Sequence, residues 1–289
     1  MRLPRRRRPD FEAERDFEYP HHLRAAIEAT PAAPGVYIFH GEEGGLPLYI
    51  GKSVNLRSRL LSHLRNPDEA RLLRQTQRIS HVRTAGEIGA LLLEARWIKE
   101  QHPLLNQKLR SNRQLCSLQV QDGVPKVVYS KDLDFAQAPG LYGLYASRHA
   151  ALDALRQMAD DQRLCYGALG LEKRAPGRPC FRAMLQQCAG VCRGDETPES
   201  HRTRLFTRLE GLRVACWPYA GPVGLVERDA QDPQWTQIHV VHHWHYLGTV
   251  GNVAEALQLD SVAPGFDADG YKILCKPILS GRAEIIPLF

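Results

Sequence analysis

Hydrophobic and polar positions follow two different periods along the first third of the chain. Residues 36–40 and 46–51 are short runs rich in β-branched and aromatic residues, and the glycine-rich stretch 41–45 between them predicts a β-hairpin. Apolar positions at helical spacing predict helices at about 19–27, 55–65, 68–78 and 87–101, and another β-prone run predicts a strand at 79–84. This part of the chain is therefore expected to form a small antiparallel sheet with flanking helices.

The rest of the chain has shorter and more β-prone runs. They predict strands at 118–121 and 125–129, helices at 148–158 and 197–212, and mostly β structure over 223–228, 238–250 and 270–276. The predicted fold class is α+β, with a cysteine-rich segment after the first domain and a mostly β C-terminal domain after that. The predicted divisions are a basic disordered tail at 1–19, a first domain at 20–110, a linker and cysteine-rich region at 111–195, and a C-terminal domain at 196–289.

The composition is that of a globular protein with a surplus of basic residues. The 289 residues are 43% hydrophobic and 24% charged and have a net charge of +6. This surplus favours a polyanionic partner such as nucleic acid, although on charge alone a membrane surface is an alternative. Because no apolar run reaches the roughly 18 residues that span a bilayer, and the N-terminus has no apolar signal segment, we expect a cytoplasmic protein. Five arginines among the first eight residues predict a solvated arm that could lie along phosphates.

Residues suited to cutting a phosphodiester gather at the predicted hairpin and the helix after it. Tyr37 and Tyr49 lie on the two predicted strands, and Lys52 and Arg59 follow. Hydrolysis needs a proton acceptor, positive charge opposite the phosphate, and help for the leaving oxygen. A tyrosine can accept a proton if nearby cations lower its pKa or if water relays the proton, and an arginine can hold two phosphate oxygens. Taken singly, a strand tyrosine is more often a packing residue whose hydroxyl contacts water.

Two further residues extend this cluster. Glu94 lies at the edge of the apolar stripe of the helix predicted at 87–101, which predicts a half-buried carboxylate. Such a carboxylate suits Mg²⁺, which keeps most of its water ligands and is often held by one or two protein carboxylates. The alternative is an ordinary polar helix edge. His63 lies beside Arg59 on its helix, where it either contacts a substrate or completes a packing face.

Seven cysteines, an odd number, fit a reducing compartment better than a disulfide framework. Four of them are close in sequence and could hold one metal centre, either zinc or an iron–sulfur cluster, namely Cys165, Cys180, Cys188 and Cys192. Ordinary reduced core cysteines are the alternative. Cys116, Cys216 and Cys275 show no such pattern and are expected to be packing residues.

A group of histidines in the C-terminal third invites a second metal hypothesis. Strand alternation places His243 and His245 on one face and His242 on the other, with His239 earlier in the same run. Because no carboxylate pattern accompanies them, we favour a solvated or DNA-facing strand over a metal site.

Gly35-Val36-Tyr37 and Tyr49-Ile50-Gly51 resemble the two halves of the GIY-YIG nuclease signature, and the surrounding segments 34–39 and 49–53 are similar to the N-terminal nuclease domain of the UvrC family. That domain makes the 3′ incision in bacterial nucleotide excision repair. The resemblance implies Tyr37 as general base and Glu94 as ligand of one Mg²⁺ or Mn²⁺ ion. It also implies that the phosphate is positioned and stabilised by Tyr49, Lys52 and Arg59 and that the site is supported by Asn106.

One position departs from the family. UvrC commonly has a tyrosine where this chain has His63. The resemblance therefore assigns no role to His63, although a histidine there can donate to a phosphate or to the leaving oxygen.

The cysteine segment also resembles UvrC, whose cysteine-rich region is associated with an iron–sulfur cluster. This implies a shared cofactor site at Cys165, Cys180, Cys188 and Cys192.

Over about residues 20–289 the chain resembles the shorter, Cho-type members of the family, which keep the first nuclease domain and lack the second. The resemblance implies incision only on the 3′ side of a lesion, in double-stranded DNA loaded by UvrA and UvrB. For the C-terminal part, docking of UvrB or DNA is a hypothesis that no motif of the sequence carries. Two alternatives stay open: a stand-alone nuclease that acts on branched DNA, and a DNA-binding module without catalysis.

Overall fold

The computed structural model describes residues 20–106, 115–173, 178–259 and 266–289. These residues form two compact units, one on each side of the gap at 107–114. The arginine-rich tail at 1–19 and the boundary predicted at 110 and 111 lie outside the described residues. Within the described residues, no helix is long and apolar enough to cross a bilayer.

The first unit is a three-stranded antiparallel sheet covered by helices. In chain order its elements are α1 (His21–Glu28), β1 (Gly35–His40), β2 (Tyr49–Ser53), α2 (Leu56–Leu64), a 3-10 turn (Pro67–Glu69), α3 (Ala70–Gln75), β3 (Arg78–Arg83) and α4 (Glu87–Gln101). The strand order is β2-β1-β3, so the signature strands β1 and β2 are neighbours and β2 is an edge strand. The predicted hairpin, helices and third strand of this unit are confirmed, although 68–78 divides into a 3-10 turn and a short helix.

Strand alternation in β1 determines which side chains face which helices. Tyr37 and Phe39 pack on one face with leucines from α1, α2 and α3, whereas Val36 and Ile38 pack on the other face with α4. Strand β1 is therefore buried on both faces. Gly35 is needed at the start of β1 because a Cβ there would lie 2.3 Å from the Val82 carbonyl oxygen on β3.

Helix α2 is the element that brings cationic and imidazole side chains to the hairpin. The side chain of Asn55 caps it by accepting from the N–H of Ser58 at 3.0 Å. Its apolar stripe, Leu56, Leu60 and Leu64, is completely buried, and this anchors the orientation of the helix.

The second unit contains two antiparallel sheets and several helices. Its elements are β4 (Cys116–Gln121), β5 (Val124–Tyr129), β6 (Leu141–Tyr145), α5 (Arg148–Asp161), α6 (Phe181–Met184), a 3-10 turn (Val191–Arg193), α7 (Pro198–Glu210), β7 (Val223–Arg228), β8 (Thr236–His242), β9 (His245–Val250), α8 (Val253–Ala256), α9 (Ala268–Leu279) and β10 (Glu284–Pro287). The sheet orders are β5-β4-β6 and β10-β7-β8-β9. The mixed α+β class predicted from the sequence is confirmed.

Helix α7 shares its core with the first of these sheets. Leu205 and Leu209 pack with Leu155 of α5 and with Leu118 of β4. The segment at 115–161 is thus a folded sheet and helix, and the sequence division predicted at 195 and 196 stays a prediction.

The β structure predicted at 270–276 is wrong. These residues lie in α9, which Asp267 caps by accepting from the N–H of Asp269 at 3.1 Å. Gly270, Leu274 and Ile278 are the buried positions and recur every four residues, which is the helical period. The segment was predicted as a strand because it is rich in apolar residues, and the four-residue spacing of the buried positions was not taken into account.

Candidate active site

The signature hairpin places the two phenols side by side. Tyr37 pairs with Gly51 across the two strands, and its ring centroid lies 6.3 Å from that of Tyr49. A Cβ at Gly51 would lie 2.4 Å from the Tyr37 hydroxyl oxygen. Only glycine therefore leaves room for the hydroxyl at this point, which explains the last residue of the motif in physical terms.

The Tyr37 hydroxyl lies between a cation and an imidazole. It is 2.7 Å from Nε2 of His63, and the Arg59 guanidinium lies near enough to lower its pKa. Burial raises the pKa of the Tyr37 phenol above its ordinary value, and the neighbouring Tyr49 adds to the rise, while Arg59 acts in the opposite direction. The phenol is therefore neutral near pH 7, and it can lose its proton only as another proton arrives.

His63 is connected on its other side to a carboxylate. Its Nδ1 contacts Oε2 of Glu69, and Oε1 of Glu69 accepts from the Asn66 side-chain amide at 3.2 Å. Burial lowers the pKa of His63 below its ordinary value, and the contact with Glu69 partly opposes this. His63 is thus neutral near pH 7. One of its ring nitrogens contacts a phenol hydroxyl and the other a carboxylate.

Glu94 projects from α4 to the edge of the sheet. Its Oε1 accepts from the backbone N–H of Lys52 at 3.1 Å, and no hydrogen bond from the described residues reaches Oε2. Burial raises the pKa of Glu94 above its ordinary value, while the N–H and the charge of Lys52 oppose the rise. The half-buried carboxylate predicted from the helical wheel is confirmed.

The Lys52 side chain has an acidic partner of its own. Its ammonium donates to Oε1 of Glu87 at 2.8 Å, and both side chains are partly exposed. The Lys52 ammonium therefore lies at the site in a partly exposed ion pair, in which a phosphate can take the place of Glu87.

Asn106 contacts backbone and not a neighbouring functional side chain. Its Oδ1 accepts from the N–H of Ile50 at 2.9 Å, and its Nδ2 donates to the carbonyl of the same residue at 2.8 Å. Asn106 thus satisfies the free edge of β2 beside the N–H that Glu94 accepts. The contact supports the strand.

All of the nuclease residues predicted from the sequence lie in the first unit around β1, β2, α2 and α4. Two acidic residues of the same site, Glu69 and Glu87, were missed. Neither has a local signal: Glu69 ends a polar turn after α2 and Glu87 opens α4, and only tertiary structure brings them to His63 and Lys52.

The four cysteines of the predicted metal group converge in the second unit. Sγ of Cys180 lies 3.5 Å from that of Cys165, 3.7 Å from that of Cys192 and 4.0 Å from that of Cys188. Burial raises the pKa of the Cys165 thiol to about 12, so a bound metal ion is what would hold it as a thiolate. Cys165, Cys180 and Cys192 form the only group of metal-ligand type found in the described part of the chain.

A histidine that the sequence did not single out lies beside this group. Nε2 of His201 on α7 accepts from the backbone N–H of Cys165 at 3.1 Å. The helix therefore positions the loop that bears the first cysteine.

The prediction of one solvated strand of C-terminal histidines is wrong in two respects. His243 lies in the turn between β8 and β9, so it shares no strand with His245. His239 is completely buried, where it contacts Thr249 at 2.8 Å and Glu227 at 2.9 Å. His245 is buried as well.

A sheet hairpin that places two phenols, an arginine, a lysine and a carboxylate around one edge defines the class of GIY-YIG endonucleases. Three family models match: the UvrC-like GIY-YIG domain over residues 33–107, the middle domain of UvrC/Cho excinuclease over 114–210, and the C-terminal domain of excinuclease Cho over 222–289. The chain belongs to the excinuclease Cho family. It is an excision nuclease with a GIY-YIG catalytic domain, and DNA is its substrate.

Similar proteins cover nearly the whole chain. The excinuclease Cho of Escherichia coli K12 is 58% identical over 97% of this chain and 94% of its own length. The excinuclease Cho of Salmonella typhi is 57% identical over 97% of this chain and 95% of its own length. The UvrABC system protein C of Caldicellulosiruptor saccharolyticus is 29% identical over 62% of this chain and 31% of its own length.

Among solved structures, the GIY-YIG N-terminal endonuclease domain of UvrC from Thermotoga maritima, bound to magnesium, is 34% identical. The match covers 30% of this chain and 97% of the Thermotoga maritima domain, with a TM-score of 0.28.

Proposed function

We propose that this protein cuts damaged double-stranded DNA on the 3′ side of a lesion, on substrates that UvrA and UvrB prepare, and makes no 5′ incision. The observation that best supports a hydrolytic role is the position of the Tyr37 hydroxyl, 2.7 Å from an imidazole nitrogen that can take its proton.

The side chains divide the work of hydrolysis. Tyr37 takes a proton from the attacking water and passes its own proton to His63. Tyr49 lies beside Tyr37, with ring centroids 6.3 Å apart; it is half-buried, so it is the more accessible of the two phenols and orients the water. Arg59 and Lys52 bind the phosphate oxygens and stabilise their growing charge. Asn106 holds β2 in place through the Ile50 backbone.

Glu94 is the residue that would hold a single Mg²⁺ or Mn²⁺ ion. It fits a hard cation because its carboxylate is half-buried, because Oε2 is unbonded among the described residues, and because burial raises its pKa, which a cation would reverse. When bound, the ion supplies Lewis-acid stabilisation of the phosphate and of the leaving oxygen.

The decisive experiment is incision of end-labelled DNA with one bulky adduct, in Mg²⁺, with and without UvrA and UvrB. We expect a single cut 3′ of the adduct that requires both proteins. Equal cutting of undamaged branched DNA without them would favour the stand-alone nuclease, and a cut on the 5′ side would contradict the proposal.

We also propose that Cys165, Cys180, Cys188 and Cys192 hold a metal centre that stabilises the second unit. Four sulfurs around one tetrahedral zinc ion stand about 3.8 Å apart, given Zn–S bonds of about 2.3 Å. The Sγ atoms of Cys165 and Cys192 lie 3.5 and 3.7 Å from that of Cys180, and these three sulfurs are close enough to share one ion. Cys188, with its sulfur 4.0 Å from that of Cys180, is the fourth candidate ligand, of zinc or of an iron–sulfur cluster. Elemental analysis and visible absorption after anaerobic purification distinguish zinc from iron.

A further inference from the structure

We propose that Glu69 is a positioning residue of the nuclease site, which holds His63 with its proton on Nδ1 so that Nε2 accepts the proton of Tyr37. The inference rests on the proposed function, because it assigns a role to His63 in the same hydrolysis. It concerns a residue that no sequence motif of this chain includes.

The contacts leave one arrangement of protons. An ionised carboxylate only accepts hydrogen bonds, so Nδ1 of His63 must donate to Glu69. In a neutral imidazole the other nitrogen is then an acceptor, and the Tyr37 hydroxyl donates to Nε2 across 2.7 Å. His63 is 2% exposed, so water has little access to compete for either nitrogen.

The arrangement gives a balanced proton path. As the attacking water loses a proton to the Tyr37 oxygen, the Tyr37 O–H bond breaks and an Nε2–H bond forms on His63. One proton moves from water to His63, and Tyr37 stays neutral, as its raised pKa requires. The imidazolium later releases the proton to solvent while the leaving oxygen gains one, and Glu69 stabilises the imidazolium meanwhile.

The charges around His63 agree with this role. Glu69 raises the pKa of His63, while burial and the guanidinium of Arg59 lower it. The other ring neighbours, Tyr37, Phe39 and Tyr49, are uncharged near pH 7. Glu69 is therefore the single anion among these neighbours that favours the protonated imidazole.

Asn66 determines how an amide at position 69 would be oriented. Its Nδ2 donates to Oε1 of Glu69 at 3.2 Å, while its Oδ1 accepts from the N–H of Asp68 at 3.1 Å. In a Glu69→Gln variant the new amide must turn its oxygen to Asn66 and its NH₂ to His63. Nδ1 would then accept, Nε2 would carry the proton, and Tyr37 would lose its acceptor.

This geometry allows a test in which the carboxylate of Glu69 and the amide of Asn66 exchange places. Glu69→Gln should lower the single-turnover incision rate at saturating DNA by about 100-fold or more, the usual range for losing a positioned base. Combining Glu69→Gln with Asn66→Asp lets the new carboxylate accept from the new amide, which turns the amide oxygen back to His63. We expect the double variant to recover at least tenfold of the rate. Glu100→Gln, which removes an exposed partner of Arg96, serves as the matched control and should leave the rate unchanged.

Nitrogen-15 NMR of histidine-labelled full-length protein reads the tautomer without any activity. Wild type and the double variant should show His63 protonated on Nδ1, and Glu69→Gln should show it protonated on Nε2, with the signal assigned by its loss in His63→Gln. The acid limb of the rate profile should also shift to lower pH in Glu69→Gln, because the anion that raises the His63 pKa is gone.

The outcomes separate the two proposals. An Nε2–H tautomer in wild type, or a Glu69→Gln variant as fast as wild type, overturns the role of Glu69 while incision stands. An inactive wild type overturns the proposed function, and the tautomer measurement still decides the inference. A rate loss without a tautomer change, unrecovered in the double variant, would make Glu69 merely structural.

Discussion

The backbone N–H of Lys52 donates to the Glu94 carboxylate across 3.1 Å, which joins the edge strand β2 to helix α4. Lys52 follows the second half of the signature directly, so the peptide unit that ends the motif also orients the acidic residue of the site. The contact uses one carboxylate oxygen and leaves the other unbonded among the described residues. The hairpin thus positions both the phenols and the carboxylate.

Glu94→Gln should abolish metal-dependent incision with little loss of fold. The amide oxygen can still accept from the Lys52 N–H, but the group can no longer carry a charge. We expect a rate reduction of about 100-fold or more, measured on adducted DNA over a Mg²⁺ titration, with an unchanged thermal midpoint. Incision at the wild-type rate would remove Glu94 from the metal site.

Gly51→Ala should damage the site through sterics alone. The new Cβ would lie 2.4 Å from the Tyr37 hydroxyl oxygen, so the phenol must move away from His63. We expect unfolding free energy to fall by about 1–3 kcal/mol, measured by urea denaturation, together with a loss of incision. Gly251→Ala is the matched control, because a Cβ there meets nothing within 4 Å; equal effects of the two changes would argue against the clash.

Glu87→Gln should release Lys52 for phosphate binding. The pair is partly exposed, so its strength is at most about 1 kcal/mol, which is a factor of about five in affinity. We expect the DNA concentration at half-maximal incision to fall by up to that factor at low salt, and the difference to vanish at high salt because screening removes it. Glu28→Gln, which breaks an exposed pair with Arg24, should show no change.

Acid should destabilise the first unit partly through His63. Its folded-state pKa is lowered by burial, so the unfolded chain binds the proton more tightly and the stability is lost as pH falls below the ordinary value near 6.5. Denaturation at pH 7.5 and 5.5 should show a smaller drop in unfolding free energy for His63→Gln than for wild type. A larger drop in the variant would contradict the sign.

Cys180→Ala should remove the metal centre of the second unit. Cys180 has three thiol neighbours within 4.0 Å, so its loss opens the group at its middle. We expect metal content to fall from about one ion per chain to near zero, by elemental analysis, and the thermal midpoint to fall with it. Cys275→Ala should retain the metal, and equal metal content in both variants would count against the site.

Much of the fold and site could be predicted because the signals are local. The hairpin followed from β-prone runs around glycines, and the helices from apolar spacing that neighbouring residues share. Glu94 could be placed because helical geometry alone sets its angle to Ile98. The helix at 268–279 was misjudged because its apolar residues satisfy a β run and a helix alike, and packing of Leu274 and Ile278 decides between them.

The residue types at Tyr37, Tyr49, Lys52, Arg59 and Glu94 were enough to indicate phosphodiester chemistry, since charge and hydrogen-bonding capacity belong to the side chains themselves. The residue types do not determine the direction in which the proton moves. Whether His63 accepts or donates depends on Glu69 and Tyr37 reaching opposite ring nitrogens, and that contact exists only after α2 and the following turn pack against the sheet. The pKa shifts arise in the same way, because burial is a property of the folded chain.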